Sequence, residues 1–189
     1  MVRQRNLTND AVMDAAVSLV EQGGLERLTI SSLAEKLSVK PPSLYNHVSG
    51  IGEVTRQLAD IVLSRMEDAV KTAAVGRSKE AAIRAIAIGY RKFALNHPEL
   101  YRAFTTAPSI DVKERLSSLA NTLRQVLAPF ELAKRDETNF VRQFHASLHG
   151  FVALESAGFF QSVEVPVDDS FASLVDCQIR ILKTIKELS

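Results

Sequence analysis

The chain has 189 residues, 46% hydrophobic and 24% charged, which is enough for one or two soluble domains with a sizeable core. Its 23 basic and 22 acidic residues speak against a general nucleic-acid coat protein, which would be strongly basic, though not against a local DNA contact. The single cysteine, Cys177, excludes an intrachain disulfide and a multi-cysteine metal centre.

Ala, Leu, Glu, Lys and Arg are plentiful, Trp is absent, and no strand-like alternation of Val, Ile and Thr occurs, so the composition predicts an all-α fold. The start, MVRQRN, is basic but is followed by no apolar signal-peptide core, and no apolar run reaches membrane-spanning length. The expected location is cytoplasmic, with no membrane partner.

Residues 1–6 form a polar arm in which Arg3 and Arg5 are candidates for phosphate or minor-groove contact, or simply belong to a solvated tail. Thr8 or Asn9 caps a first helix whose Ala11, Val12, Ala15, Ala16, Leu19 and Val20 recur at helical spacing, and Gly23-Gly24 ends it. Thr29 caps a second helix with Ile30, Leu33, Ala34 and Leu37 inward, Ala34 being small enough for a close helix crossing. After a turn at Ser38-Val39, Pro41 and Pro42 open a very short third helix, since proline suits a first helical turn. Leu44 and Val48 point inward, leaving Lys40, Ser43, Asn46 and His47 outward. A helix this small is of little use to packing. Residues 29–48 therefore read as a helix-turn-helix whose second element enters a DNA major groove. Five basic residues within 1–50 (Arg3, Arg5, Arg27, Lys36, Lys40) are matched by five acidic ones, so any positive face depends on placement.

A fourth helix, about Gly50 to Ala74, carries Ile51, Val54, Leu58, Ile61, Val62, Met66 and Val70 and is longer than a three-helix head requires. Ser78 is read as the cap of a fifth helix with Ala82, Ile83, Ile86, Tyr90 and Phe93 inside. Pro98 begins a short sixth with Leu100, Tyr101 and Phe104. A break at Ala107-Pro108-Ser109 precedes a seventh helix, with Val112, Leu116, Leu119, Leu123, Val126 and Leu127 apolar, and residues 133–137 read as a charged link.

The eighth helix, about Glu137 to Gly158, has Phe140, Phe144, Leu148 and Phe151 in one sector and Ala146, Gly150, Ala153 and Ala157 in another. A helix apolar or small nearly all round is buried nearly all round. The Phe sector suits the core of its own subunit, and the small stripe lets another helix come close. Asp168-Asp169-Ser170 opens the last helix, whose apolar face includes Phe171, Leu174, Val175, Ile179, Leu182 and Ile185.

The run Leu33-Ala34, Leu37, Val39, then Pro42-Ser43-Leu44-Tyr45-Asn46-His47-Val48, resembles the DNA-binding head of the TetR/AcrR family, over about residues 7–62. The stretch Phe144 to Phe151, on to Leu154-Glu155, resembles the WHG type of TetR C-terminal domain, with Phe144 where Trp is usual. The resemblance implies a homodimer of TetR-like all-α subunits of about nine helices. It would have an N-terminal DNA-binding domain, 1–52, and a C-terminal ligand-sensing and dimerisation domain, 53–189. The implied function is a ligand-responsive transcriptional regulator, most simply a repressor on a pseudopalindromic double-stranded operator, with an unidentified small-molecule effector and no cofactor. Where the family has a Lys after the His-Val pair, this chain has Ser49-Gly50-Ile51-Gly52-Glu53, which leaves the helix N-terminus alone for a phosphate.

The expected DNA contacts are Lys40, Ser43 and Asn46 on base edges. Arg3, Arg5, Thr29, Ser31, Pro41, Pro42, Tyr45, His47 and Ser49 lie at the backbone or its margin. The expected ligand contacts are Tyr90, Phe93, His97, Tyr101, Phe104, Phe144, His145 and His149, any of which could equally be core. The expected dimer interface is Ala146, Gly150, Ala153, Ala157, Leu174 and Ile181. His145 and His149 stand four apart, as a helical metal pair would, but no third ligand accompanies them, so no metal is expected. Ser147 and Cys177 lack any nucleophile-elbow context, Cys177 is expected to be a buried inert thiol, and no enzyme activity is expected. A helical adaptor that uses the head for a protein partner is the alternative.

Overall fold

A computed structural model describes residues 7–106, 112–161 and 164–188, without the side chains of 112–118 and 188. Among the described residues there are nine α-helices and no strand. They are α1 (Asn9–Gly23), α2 (Ile30–Leu37), α3 (Pro41–Leu44), α4 (Ile51–Ala74), α5 (Lys79–Asn96), α6 (Pro98–Thr106), α7 (Val112–Leu127), α8 (Lys134–Ser156) and α9 (Val167–Leu188). Short 3₁₀ turns lie at Leu25–Arg27 and Ala128–Phe130. The all-α architecture expected from composition is the one found among the described residues. None of the described helices is long and apolar enough to cross a membrane.

Local chemistry explains the boundaries. Thr8 caps α1, its Oγ1 accepting the Ala11 N–H at 3.2 Å, and Gly24 ends the helix at φ 80°, a conformation other residues adopt at a cost. Thr29 and Ser32 form a reciprocal capping box on α2. Residues 133–137 are not a link, because α8 begins at Lys134. Lys, Arg and Glu are good helix formers, and Asp136 and Glu137 complement the positive end of the helix dipole.

The chain divides into two compact units. The first holds α1, α2, α3, α4 up to Ser64, and α6. Its core is built from Val12, Ala16, Val20, Leu33, Ala34, Leu44, Val48, Val54, Leu58 and Leu100. Here α6 packs on α1, and the tie is reinforced at the surface by a Glu21–His97 contact of 3.2 Å.

The second unit holds α4 from Arg65, α5, α7, α8 and α9. Phe140, Phe144 and Leu148 of α8 are buried at its centre, as the Phe sector predicted, with Ile83, Leu127 and Leu182 around them. Phe151 is half-buried, its ring against Phe160 and Phe171. At Gly89 of α5 an added Cβ would come within 3.0 Å of the Ala73 Cβ and 3.2 Å of the Ala69 carbonyl oxygen on α4, so the missing side chain lets the two helices meet closely.

Among the described residues, three ion pairs join α5 to α9 in antiparallel order: Glu80 with Lys183, Arg84 with Asp176, and Arg91 with Asp168. Arg91 also grips Glu155 of α8, Nε and one terminal nitrogen donating at 2.8 and 2.6 Å. Its guanidinium lies 4.8 Å from the Phe171 ring centroid. The Glu155 and Asp168 carboxylates outweigh burial and hold the Arg91 pKa above its usual value. Asp168 thus serves α9 as an ion-pair partner as well as a first-turn acid.

Candidate nucleic-acid interface and effector cavity

The reading surface begins with how α2 stops. Ser38 takes the left-handed conformation, φ 55°, while its N–H bonds the Glu35 carbonyl and the Val39 N–H reaches the Ala34 carbonyl at 2.9 Å. This is a Schellman ending, which turns the chain sharply without abandoning buried carbonyls. Lys40 then stands extended as the cap of α3.

The α-helical part of α3 covers only Pro41–Leu44, and residues 45–47 continue as a turn closed by His47 N–H to Leu44 O at 2.9 Å. Two consecutive prolines supply no N–H to extend the ladder, and Val48 must return to the core. Leu44 and Val48 anchor this loop of chain, so its other side chains face out. Lys40, Pro41, Pro42, Tyr45 and Asn46 are exposed, and Ser43 and His47 are half-buried. Tyr45 is 57% exposed, an aromatic ring and hydroxyl offered to solvent by a buried anchor next to it.

Thr29, Ser31 and Ser49 flank this surface and are exposed. The Thr29 hydroxyl is occupied by its capping box with Ser32. Ser49 is also engaged: its N–H and hydroxyl both donate to Glu53 Oε2, at 2.6 and 2.7 Å. Glu53 Oε1 accepts from Gln57 Nε2, and Gln57 Oε1 accepts from Asn9 Nδ2, both at 3.0 Å. The bonds from Ser49 hold the Glu53 carboxyl below the usual carboxylate pKa. Glu53 thus ties the start of α4 to the start of α1, a role the sequence reading missed. An acid at the third helical position, three residues after Gly50, was the available signal. Arg3 and Arg5 lie outside the described residues.

The second unit contains a small cavity of about 30 Å³. Its described lining is Val70 of α4, Ile86 and Tyr90 of α5, Leu119, Ala120 and Leu123 of α7, and Val141, Phe144, His145 and Leu148 of α8. Of the eight candidate ligand contacts, Tyr90, Phe144 and His145 come together here, the Tyr90 and His145 rings meeting edge-on at 5.9 Å. Phe93 is buried in the same unit without lining the cavity, and His149 is half-buried one turn beyond His145. His97, Tyr101 and Phe104 belong to the first unit, Tyr101 in its core. The aliphatic lining residues went unflagged because Val, Ile and Leu at helical spacing look the same in any core.

Burial holds the His145 pKa below its ordinary value, with a further push from the nearby His149. No group of three or more His, Cys, Asp or Glu side chains gathers at metal distance among the described residues. Ser147 lies on α8 as a partner of Gln178 of α9, whose Nε2 donates to its Oγ at 3.0 Å. Cys177 is exposed, correcting the expectation of a buried thiol. It stands on α9 one turn before exposed Ile181, on a surface that also carries Arg180 and Thr184.

The small stripe of α8 is likewise uncovered: Ala146, Ala153 and Ala157 are exposed, and a Cβ added at Gly150 would meet no atom within 4 Å. On α9, Ile181 is 41% exposed and Leu174 half-buried.

Residues 83–178, half of the chain, match the family model described as the tetracyclin repressor-like C-terminal domain. The chain belongs to the TetR family of transcriptional regulators. Consistent with that, it is 28% identical over 179 residues to the uncharacterized HTH-type transcriptional regulator Rv0681 of Mycobacterium tuberculosis, covering 93% of this chain and 81% of that one. It is 34% identical over 91 residues to the class D tetracycline repressor of Escherichia coli, covering 48% of this chain and 41% of the repressor. The TetR crystal structure from Acinetobacter baumannii AYE superposes with a TM-score of 0.74 at 18% identity, over 96% of this chain and 99% of the other. A variant of that protein, solved in complex with minocycline, superposes with a TM-score of 0.72 at 20% identity, over 95% of each chain. These two likenesses carry the fold of the TetR regulator described here.

Proposed function

We propose that this TetR-family regulator is a ligand-responsive repressor that binds a pseudopalindromic operator as a cytoplasmic homodimer. The observation that carries the reading is the anchored loop Lys40–His47, where buried Leu44 and Val48 hold exposed Lys40, Tyr45 and Asn46 outward. Lys40 can donate to guanine, Asn46 can pair in bidentate fashion with adenine, and half-buried Ser43 is permissive. Tyr45 and His47, with Thr29, Ser31, Pro41, Pro42 and Ser49 around them, belong at the phosphate backbone, and Arg3 and Arg5 extend the contact from the N-terminal arm. An N-terminal domain over 1–52 reads the DNA, and the rest, 53–189, senses ligand and dimerises.

The uncovered faces of α8 and α9 support the dimer. Ala146, Gly150, Ala153, Ala157, Leu174 and Ile181 would pair with the same residues of a second copy, and two-fold symmetry requires two half-sites. Ligand control enters through α4, whose Val70 lines the cavity and whose N-terminus carries the Glu53 network. A ligand shifts operator affinity only as far as it favours one position of that helix over another.

The experiment is a gel-shift series on a duplex selected from random sequence. Tyr45→Ala is expected to weaken every duplex by a similar factor and to reduce the salt slope little. Asn46→Ala should cost about 1–3 kcal/mol on the selected site alone, relaxing specificity at one base pair. A uniform loss from Asn46→Ala with a sequence-dependent loss from Tyr45→Ala would reverse the assignment. Failure to be retained on DNA in a salt-dependent way would favour a protein-binding adaptor instead.

A further inference from the structure

We propose that the ligand of the second-unit cavity is an uncharged, mainly apolar small molecule carrying one hydroxyl-type group that hydrogen-bonds the His145 imidazole. This rests on reading that cavity as the effector site and names the chemistry it selects.

The walls come first. Val70, Ile86, Leu123, Val141, Phe144 and Leu148 offer only carbon, and no Asp, Glu, Lys or Arg is among the described lining residues. A charged ligand would give up its hydration for described walls that carry no counter-charge and, besides carbon, only the Tyr90 hydroxyl and the His145 imidazole. That selects against carboxylates and ammonium ions alike.

His145 then supplies the polar discrimination. It lines the cavity, and none of the hydrogen bonds among the described residues involves it. Its contact with Tyr90 is ring against ring, 5.9 Å between centroids. Burial, assisted by the neighbouring His149, disfavours the charged imidazolium. The neutral ring has one accepting and one donating nitrogen, which a single hydroxyl can engage without any net charge. A ligand of the same shape lacking that hydroxyl leaves the half-buried imidazole without this bond, and a site built to hydrogen-bond a hydroxyl discriminates against such analogues.

Size adds a consequence. At about 30 Å³ the cavity has room for a water-sized occupant, so an aromatic ring must part its walls to enter. Binding and helix displacement are then one event, and the helices available to move are those that line it.

The test uses three shape-matched probes on the full chain: 4-ethylphenol, ethylbenzene and 4-ethylbenzoate. Titration calorimetry is expected to rank 4-ethylphenol at least tenfold tighter than either analogue. Nuclear magnetic resonance should show the His145 ring signals moving on its addition. In His145→Leu the preference over ethylbenzene should shrink to threefold or less. Leu123→Ala, which widens the cavity without touching the imidazole, should tighten 4-ethylphenol and keeps the test independent of how His145→Leu folds. The proposal is overturned if the benzoate binds tighter, if the preference survives His145→Leu, or if 4-ethylphenol binds neither wild type nor Leu123→Ala. DNA is absent from these titrations. If 4-ethylphenol fills the cavity as expected yet leaves a protein–DNA complex intact, the ligand chemistry stands and the effector reading is the part rejected.

Discussion

Individual side chains in this regulator carry conformational and protonic loads that can be measured one at a time. Ser38 holds a left-handed backbone, φ 55°, at the turn between the two helices of the reading head. A side chain there costs roughly 1–2 kcal/mol, part of which glycine recovers before its greater unfolded-chain entropy is deducted, so Ser38→Gly should stabilise by about 0.5–1 kcal/mol. Chemical denaturation checks this, and a destabilised variant would mean that the Ser38 side chain contributes more than the turn geometry takes. His145 carries the protonic load. Its folded pKa lies below its ordinary 6.5 because burial, and secondarily His149, oppose the imidazolium. The unfolded chain therefore binds the extra proton more readily, and stability falls as pH drops through 6.5 towards the folded value, being fully retained above 6.5. The described titratable neighbours are His149 on the same helix and Tyr90 of α5. Thermal melts from pH 8 to pH 5 should show a steeper decline for wild type than for His145→Gln, and parallel curves would assign the acid sensitivity elsewhere.

Helices in this chain were legible in proportion to how locally they are specified. Thr8, Thr29, Gly24 and Pro41 punctuate the sequence with residues whose chemistry belongs to helix ends, and the structure uses each as a boundary. Periodicity likewise identified Phe140, Phe144 and Leu148 as the core face of α8. It could not say which partner a face would meet. Leu100 and Tyr101 have the same spacing whether α6 serves the second-unit cavity or α1, and in the structure they are buried in the first unit. Residues 133–137 looked like a link because they are charged, although Lys, Arg and Glu extend a solvated helix readily. Arg91 gave no signal in sequence, because its Glu155 and Asp168 partners lie 64 and 77 residues away. Gly89 was equally silent, yet it sets the approach of α4 to α5. With an added Cβ 3.0 Å from Ala73 Cβ and 3.2 Å from a backbone oxygen, the branched chain of Gly89→Val must push the helices apart. The expected loss is about 1–3 kcal/mol, larger than for Gly89→Ala, whose single methyl needs only a small shift and gains helix propensity. Urea titration of both variants measures the difference, and equal stabilities would show that the crossing yields easily.

For the whole molecule the decisive question is what covers the outer faces of α8 and α9. Among the described residues of one chain, Ala146, Ala153 and Ala157 are exposed and a Cβ at Gly150 would meet open space, while Cys177 and Ile181 are exposed on α9. Small residues on one stripe let two helix backbones approach, and apolar ones beside them gain from leaving water. Gly150→Leu separates this reading from a purely internal role for the stripe. A Cβ there meets nothing within 4 Å, and leucine has a higher helix propensity than glycine by roughly 0.8 kcal/mol, so the helical content of the subunit should be retained. In a two-fold dimer the same leucine enters the interface twice and blocks the close approach. Sedimentation should then find a helical monomer in place of a dimer, and DNA affinity should fall by at least tenfold, because a single head engages one half-site without the second to hold it in place. A Gly150→Leu protein that remains dimeric and binds DNA as before would remove the α8 stripe from the interface and leave the α9 face, with Ile181 at its centre, to carry the association.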